Sequence, residues 1–264
     1  LLLILVIPLG VLGAAIATLI AQAVSAVLVT VTLMYRTEGM KLCLSQIRMY
    51  KRMLQSILKI GLPAGFEAIM YSISNIIVQV SINNFGVDTM AAWTAYSKID
   101  FIFWMINSAF GISVMTFVGQ NYGAGKWDRI RRGTKICLGM ALISAVSVSI
   151  ILMSAERFLF GIFVNDAGVV EIGIRMMNVI APAYLLFAFI EVFSGALRAQ
   201  GAVVVSTLIT MVGICVLRMI WVTLVAAHGT LEQVIICYPI TWAAGALAMS
   251  IYYIYKQRKI FQAR

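Results

Sequence analysis

The sequence contains one histidine, His228, and ten acidic residues scattered over 264 positions. It has no clustered aspartates and no Gly-x-Ser-x-Gly elbow. It therefore offers neither the nucleophile–base pair nor the metal cluster an enzyme would need, and the chain reads as a non-enzyme. Cys43, Cys137, Cys215 and Cys237 lack metal-ligand spacing and read as small apolar residues rather than disulfide partners. A phosphate-binding loop is missing as well. The pair Gly125-Lys126 is followed by Trp127 instead of a hydroxyl residue, and Gln120 stands where the loop's first glycine belongs. Charge is scarce too, at 11% of residues, where a soluble domain carries roughly a quarter.

What replaces charge is hydrocarbon. Hydrophobic residues make up 62% of the chain, and the mean hydropathy is +0.99. The stretches Leu12–Tyr35, Gly61–Phe85, Ile99–Val118, Ile136–Ala155, Ile174–Leu197, Ala202–Ala226 and Val234–Tyr255 each approach the roughly 20 residues a helix needs to cross a bilayer. Continuous apolar runs exclude the alternating pattern of a membrane barrel, which leaves an all-α integral membrane protein, a polytopic helix bundle.

The charges present are sorted. All basic residues except Lys98, Arg157, Arg175 and Arg218 fall on one side of these spans, in Arg36–Lys59, Gly119–Lys135 and Lys256–Arg264 and at Arg198. Asp88, Asp100, Glu156, Asp166, Glu171 and Glu232 fall on the other. By the positive-inside rule the basic loops and the C-terminus face the cytoplasm, which predicts a multi-pass protein of the plasma (inner) membrane. The net charge of +10 thus reflects loops facing anionic membrane lipid, and no nucleic-acid partner is expected.

Within the first basic loop, Met40, Leu44, Ile47, Leu54 and Leu58 recur at helical spacing among Arg48, Lys51, Arg52, Gln55 and Lys59. That pattern predicts a basic amphipathic helix over Met40–Lys59, lying on the inner membrane surface and tethering two bundles. Leu1 opens inside an apolar run with neither a basic leader nor a cleavage site, so Leu1–Ile7 reads as the end of a helix and the chain as a fragment. A short repeat supports paired halves. Leu5-Val6-x-x-x-Gly10-x-Leu12 recurs as Leu224-Val225-x-x-x-Gly229-x-Leu231, and a basic residue follows a tyrosine 26 or 27 positions after the glycine.

Four motifs then stand in register. Val118-Gly119-Gln120-Asn121-Tyr122-Gly123-Ala124-Gly125 resembles the inner-loop signature of multidrug and toxic compound extrusion (MATE) transporters. Gly61-Leu62-Pro63-Ala64-Gly65 resembles the entry to that family's seventh helix, and Gly195-Ala196-Leu197-Arg198-Ala199-Gln200-Gly201 the inner end of its tenth. Gly10-Val11-Leu12-Gly13-Ala14-Ala15-Ile16-Ala17-Thr18 resembles the turn into the sixth. The resemblance implies the end of helix 5 and helices 6–12 of a twelve-helix MATE-type transporter. Residues 1–35 would be the end of helix 5 and helix 6 of the first lobe, 36–59 a cytoplasmic linker, 60–258 the second six-helix lobe, and 259–264 a cytoplasmic tail. It further implies a partner, the missing N-terminal lobe of the same protein. Gly61, Pro63, Gly119, Gln120, Gly123, Gly195 and Arg198 are the structural motif residues.

Two carboxylates, Glu67 and Glu191, fall well inside spans. Counted from Lys59 and Arg198, both sit roughly 10–12 Å into the membrane. Equal depth lets them face one another, and an intramembrane acid is a functional candidate by default. Such a pair can take up and release a proton, or hold Na⁺ with neighbouring Asn and Ser oxygens. Each Glu could instead reach the interface or pair with a base such as Arg198. Tyr71, Ser74 and Asn75 share a helix face with Glu67, and Asn107 and Trp104 lie mid-span on the next helix. Asp100 is placed either in an outer cavity or in an interface pair with Lys98. Some MATE branches carry acids one turn deeper on helices 7 and 10, at positions that here are Tyr71 and Phe187. Phe66, Tyr71, Phe103, Trp104 and Tyr184 are candidates for cation–π contact, and Arg218 for a structural pair with an acid or a backbone carbonyl.

The resemblance implies an antiporter that exports small organic, cationic substrates or drugs in exchange for H⁺ or Na⁺, by rocking between inward- and outward-open states, with no cofactor. The alternatives are a lipid-linked oligosaccharide or lipid flippase of the same superfamily, or a non-transporting fragment. A flippase needs a cavity rich in Arg and Lys for pyrophosphate, whereas the spans carry, away from their ends, two acids and Arg218.

Overall fold

The computed structural model describes residues 10–35, 42–43, 48–225 and 229–262. Its elements are α1 (Gly10–Tyr35), α2 (Lys51–Asn83), α3 (Val87–Gly123), α4 (Trp127–Ser154), α5 (Glu156–Gly161), α6 (Ala167–Ile180), α7 (Tyr184–Ala199), α8 (Val203–Thr210), α9 (Leu217–Ile220), α10 (Leu231–Ile235) and α11 (Cys237–Gln262). Among the described residues, seven helical segments are long and apolar enough to cross a membrane. This is a multi-pass integral membrane bundle.

The chain divides into two units, Leu1–Ser56 and Ile57–Arg264. In the first, α1 is apolar and exposed almost all round, with Leu19, Val24, Val27 and Leu28 open. An apolar helix without a buried face is one made for lipid or for packing against further protein.

The reading of Met40–Lys59 as one surface helix is corrected in its second half. Lys51–Lys59 are the first turns of α2, which continues through Gly61 and Pro63 to Asn83. Met40, Leu44 and Ile47 lie outside the described residues. Pro63 removes one backbone donor, and near the end of a membrane helix water can meet the freed carbonyl, so the helix need not break there.

In the second unit α7 is central and packs against α3, α4 and α11. Its neighbours wrap it because its own sequence, from Phe187 to Leu197, is buried on almost every side. A 3-10 turn, Ala181–Ala183, joins α6 to α7 within one span, and Pro182 sits in that turn. Between α8 and α10 the backbone widens twice into π-helix, at Met211–Val216 and Trp221–Val225, with Arg218 in the single α turn between them.

The two glycine-rich motifs close their helices in the same way. Gly125 (φ 67°) and Gly201 (φ 79°) adopt the left-handed conformation that a side chain disfavours. The following amides, of Lys126 and Ala202, reach back to the carbonyls of Asn121 at 2.8 Å and Leu197 at 2.9 Å. This is the Schellman closure of a helix C-terminus. On the acidic side, Arg157 pairs with Glu171 at 2.5 Å and Arg175 with Glu232 at 3.6 Å, both exposed and of small energetic weight.

Candidate functional site

Two cavities open inside the second unit, and Tyr71 lines both. The first, of about 320 Å³, is bounded by Glu67 and Tyr71 on α2, Gly111 and Met115 on α3, Glu191, Ser194 and Arg198 on α7, and Thr210 on α8. Glycine makes the space. A Cβ at Gly111 would overlap the Glu191 carboxylate, and one at Gly195 would lie 2.8 Å from the Gly111 carbonyl oxygen. The close α3–α7 approach at these glycines carries Glu191 against the α3 backbone.

Glu67 and Glu191 thus meet in one cavity, but they differ. Arg198 Nη2 donates to Glu67 Oε1 at 2.6 Å and Oε2 at 2.7 Å, and Thr207 Oγ1 donates to Oε2 at 2.9 Å. Glu191 has no hydrogen bond or ion pair among the described residues. The pairing with Arg198, considered above as the alternative, is formed by Glu67 alone. Two carboxyl groups share one cavity with a single guanidinium, which bonds only Glu67.

The second cavity, of about 420 Å³, is walled by Trp93, Tyr96, Asp100 and Trp104 on α3, Tyr71, Asn75 and Gln79 on α2, and Tyr238 and Trp242 on α11. Asp100 Oδ2 accepts from Trp104 Nε1 at 2.6 Å and Oδ1 from Tyr184 Oη at 2.5 Å, while Tyr184 meets Tyr96 at 3.2 Å. The interface pair with Lys98 is not formed, because residues two apart on a helix point in different directions. Trp242 Nε1 and Tyr71 Oη are buried without a hydrogen-bond partner among the described residues.

Arg218 is fully buried behind this cavity. Its partners are neutral side chains rather than the acid or backbone carbonyl expected. Its guanidinium donates to Asn75 Oδ1 at 3.1 Å and Thr241 Oγ1 at 3.5 Å and lies over the Tyr238 ring at 4.2 Å. A planar cation stacked on aromatic faces is a weakly hydrated group that tolerates such a site.

Some expected residues fall elsewhere. Ser74 is buried, its hydroxyl unpartnered among the described residues, and lines neither cavity. Asn107 is also buried outside both, on the α3 stripe between Trp104 and Gly111 where α7 packs. Phe66 is exposed and Phe103 is buried and stacked on Tyr184 with ring centroids 3.9 Å apart, and neither lines a cavity described above. Gly61, Pro63, Gly119, Gln120 and Gly123 lie in helix bodies or ends away from both cavities. Trp93, Tyr96, Tyr238, Trp242 and Thr207 were not anticipated. A signal existed on α3, where Trp93, Tyr96, Ser97, Asp100 and Trp104 follow helical spacing. No group of three or more His, Cys, Asp or Glu suited to a metal ion occurs among the described residues.

Ionisable and aromatic side chains gathered inside a multi-pass bundle mark a functional-site candidate. The MatE family model matches residues 63–224. A probable multidrug resistance protein of Bacillus subtilis (strain 168), YoeA, is 25% identical over 260 residues, covering 96% of this chain and 56% of its own length. The Staphylococcus saprophyticus multidrug export protein MepA is 23% identical over 232 residues, 83% of this chain and 51% of its own. Among solved structures, an outward-facing multidrug resistance MATE family transporter of the MOP superfamily superposes with a TM-score of 0.89 at 18% identity, over 99% of this chain and 59% of that one. A MOP superfamily transporter from Pyrococcus furiosus superposes at 0.88 with 17% identity, over 97% and 58%. The chain belongs to the MatE family, whose members are membrane transporters and not enzymes. It spans just over half the length of these relatives.

Proposed function

We propose that this chain supplies the cargo-binding and cation-coupling lobe of a secondary antiporter that exports organic cations in exchange for H⁺ or Na⁺. Transport is a property of the longer protein, whose other lobe closes the central path as the two rock. The observation that carries the reading is the Glu67–Arg198–Glu191 cavity, in which Arg198 bonds Glu67 and not Glu191, touching an aromatic cavity with its own acid through Tyr71. Glu191 is the coupling group, Glu67 and Arg198 hold its surroundings, and Asp100 with Trp93, Trp104 and Tyr71 receives a flat cation. The basic loops and C-terminus face the cytoplasm, and the membrane is the inner one. The names of the relatives, which speak of multidrug export, favour the same assignment. A flippase would need free basic groups for a pyrophosphate, and Arg198 is engaged by Glu67.

The test is gradient-driven efflux of ethidium from proteoliposomes holding the full-length protein. Glu191→Gln should abolish the response to an imposed H⁺ or Na⁺ gradient, and Glu67→Gln should weaken it. Wild-type coupling in both variants would refute the assignment.

A further inference from the structure

The α3–α4 contact carries two cavities that neither site above uses. One, of about 390 Å³, lies at the start of α4 and is bordered by Asp128, Arg129 and Arg132. The other, of about 360 Å³, runs along Phe110, Val114 and Met140. Both share Phe117, Gly133 and Ile136, so they form one groove with a charged mouth and an apolar floor. Gly133 sets the joint, since a Cβ there would collide with the Phe117 ring.

The mouth lies at a membrane boundary. It follows the Gly125 turn, and Tyr122 and Trp127 stack edge-to-face at 5.0 Å beside it, the residue types that anchor helix ends at the headgroup level. Arg129 and Arg132 are exposed and have no ion-pair partner among the described residues. The floor descends from there into the hydrocarbon: Arg129 to Met140 is about 16 Å of helix rise. Ser113 and Cys137 are its polar groups, and the Cys137 thiol is directed at the Phe110 carbonyl, 3.8 Å away.

We infer that this groove binds one anionic phospholipid, its phosphate between Arg129 and Arg132 and one acyl chain along Phe117, Ile136 and Met140. A soluble anion would use the mouth and leave the floor empty, while a zwitterionic lipid would fill the floor and gain little from the arginines. Asp128 borders the mouth and opposes the phosphate, but two guanidiniums outweigh one carboxylate. The inference is independent of the transport reading.

The full-length protein, purified in detergent, is titrated with dioleoylphosphatidylglycerol, dioleoylphosphatidylcholine and sn-glycerol 3-phosphate and followed by native mass spectrometry. One phosphatidylglycerol should be retained where phosphatidylcholine is lost, and glycerol phosphate should not displace it. Each basic residue near an anionic headgroup is worth about fivefold in affinity, so Arg129→Gln with Arg132→Gln should weaken retention on the order of 30-fold. The double Lys variant, which keeps both charges, should preserve the preference, and Ser113→Phe, which narrows the floor, should reduce it. Equal retention of the two lipids, an unchanged double Gln variant, or displacement by glycerol phosphate would overturn the inference. So would crosslinks from a probe on Met140→Cys to another protein segment or a second copy in place of lipid.

Discussion

Arg198 Nη2 bonds both carboxylate oxygens of Glu67, at 2.6 and 2.7 Å, across 131 residues of sequence. That contact ties α7 to α2 and makes the two intramembrane acids unlike. Glu67 is neutralised and further held by Thr207, while Glu191 faces the same cavity with no partner among the described residues.

The inequality has a consequence for stability. Arg198→Gln leaves two carboxylates in one cavity without a cation, whereas Glu67→Gln leaves Arg198 beside Glu191. Removing one partner of a buried pair costs about 3–5 kcal/mol in general, and the 28% and 14% side-chain exposures here point to the lower end. The thermal midpoint in detergent should fall more for Arg198→Gln than for Glu67→Gln, and the double variant should recover part of the loss. Equal losses in the two single variants would contradict this electrostatic account.

The two glycines of the α3–α7 crossing should also behave differently. A Cβ at Gly195 presses on the Gly111 carbonyl and on Val114 Cγ1, both at 2.8 Å, so backbone must move. Gly195→Ala should cost about 1–3 kcal/mol in overpacking. At Gly111 the Cβ meets the end of the Glu191 side chain, which can swing aside. Gly111→Ala should leave the midpoint nearer to wild type while changing gradient-coupled efflux, because the carboxylate is displaced. A larger stability loss at Gly111 than at Gly195 would show that Glu191 is rigidly held.

Arg218 offers a test of shape against charge. Its guanidinium stacks on Tyr238 and bonds Asn75 and Thr241. Lysine keeps the charge but is a strongly hydrated point cation without a planar fork. Unfolding should therefore be easier for Arg218→Lys than for Arg218→Met, which removes the buried charge at similar volume. A wild-type midpoint for Arg218→Lys would mean that charge alone matters here.

Asp100 should govern cation binding. Asn in its place offers one acceptor oxygen to Trp104 and Tyr184, where the carboxylate offers two, and carries no charge. Calorimetric affinity for N-methylquinolinium should drop at least about tenfold in Asp100→Asn. Tyr184→Phe, which leaves the charge in place, should cost less. Equal affinities for wild type and Asp100→Asn would remove this cavity from the cargo path.

Much of the architecture was legible in the linear pattern. Hydrocarbon demands about 20 apolar residues per crossing, so the spans announce themselves. Helix ends at Gly125 and Gly201 depend on a few adjacent residues, and the glycine motifs marked both. The start of α2 was misplaced because amphipathic spacing over Lys51–Lys59 looks the same in a surface helix and in the first turns of a span.

Which polar groups meet inside was not written locally. The depths of Glu67 and Glu191 follow from counting residues, yet their inequality comes from Arg198, whose reach to α2 depends on how α7 sits in the bundle. Asp100 had a neighbour in sequence, Lys98, and found its partners instead in Trp104 and in Tyr184, 84 residues away. Local sequence dictates class, spans and helix ends because each rests on short-range chemistry. The pairing inside the two cavities and their walls were settled by packing, because side chains distant in sequence become neighbours when glycines such as Gly111 and Gly195 let helices approach.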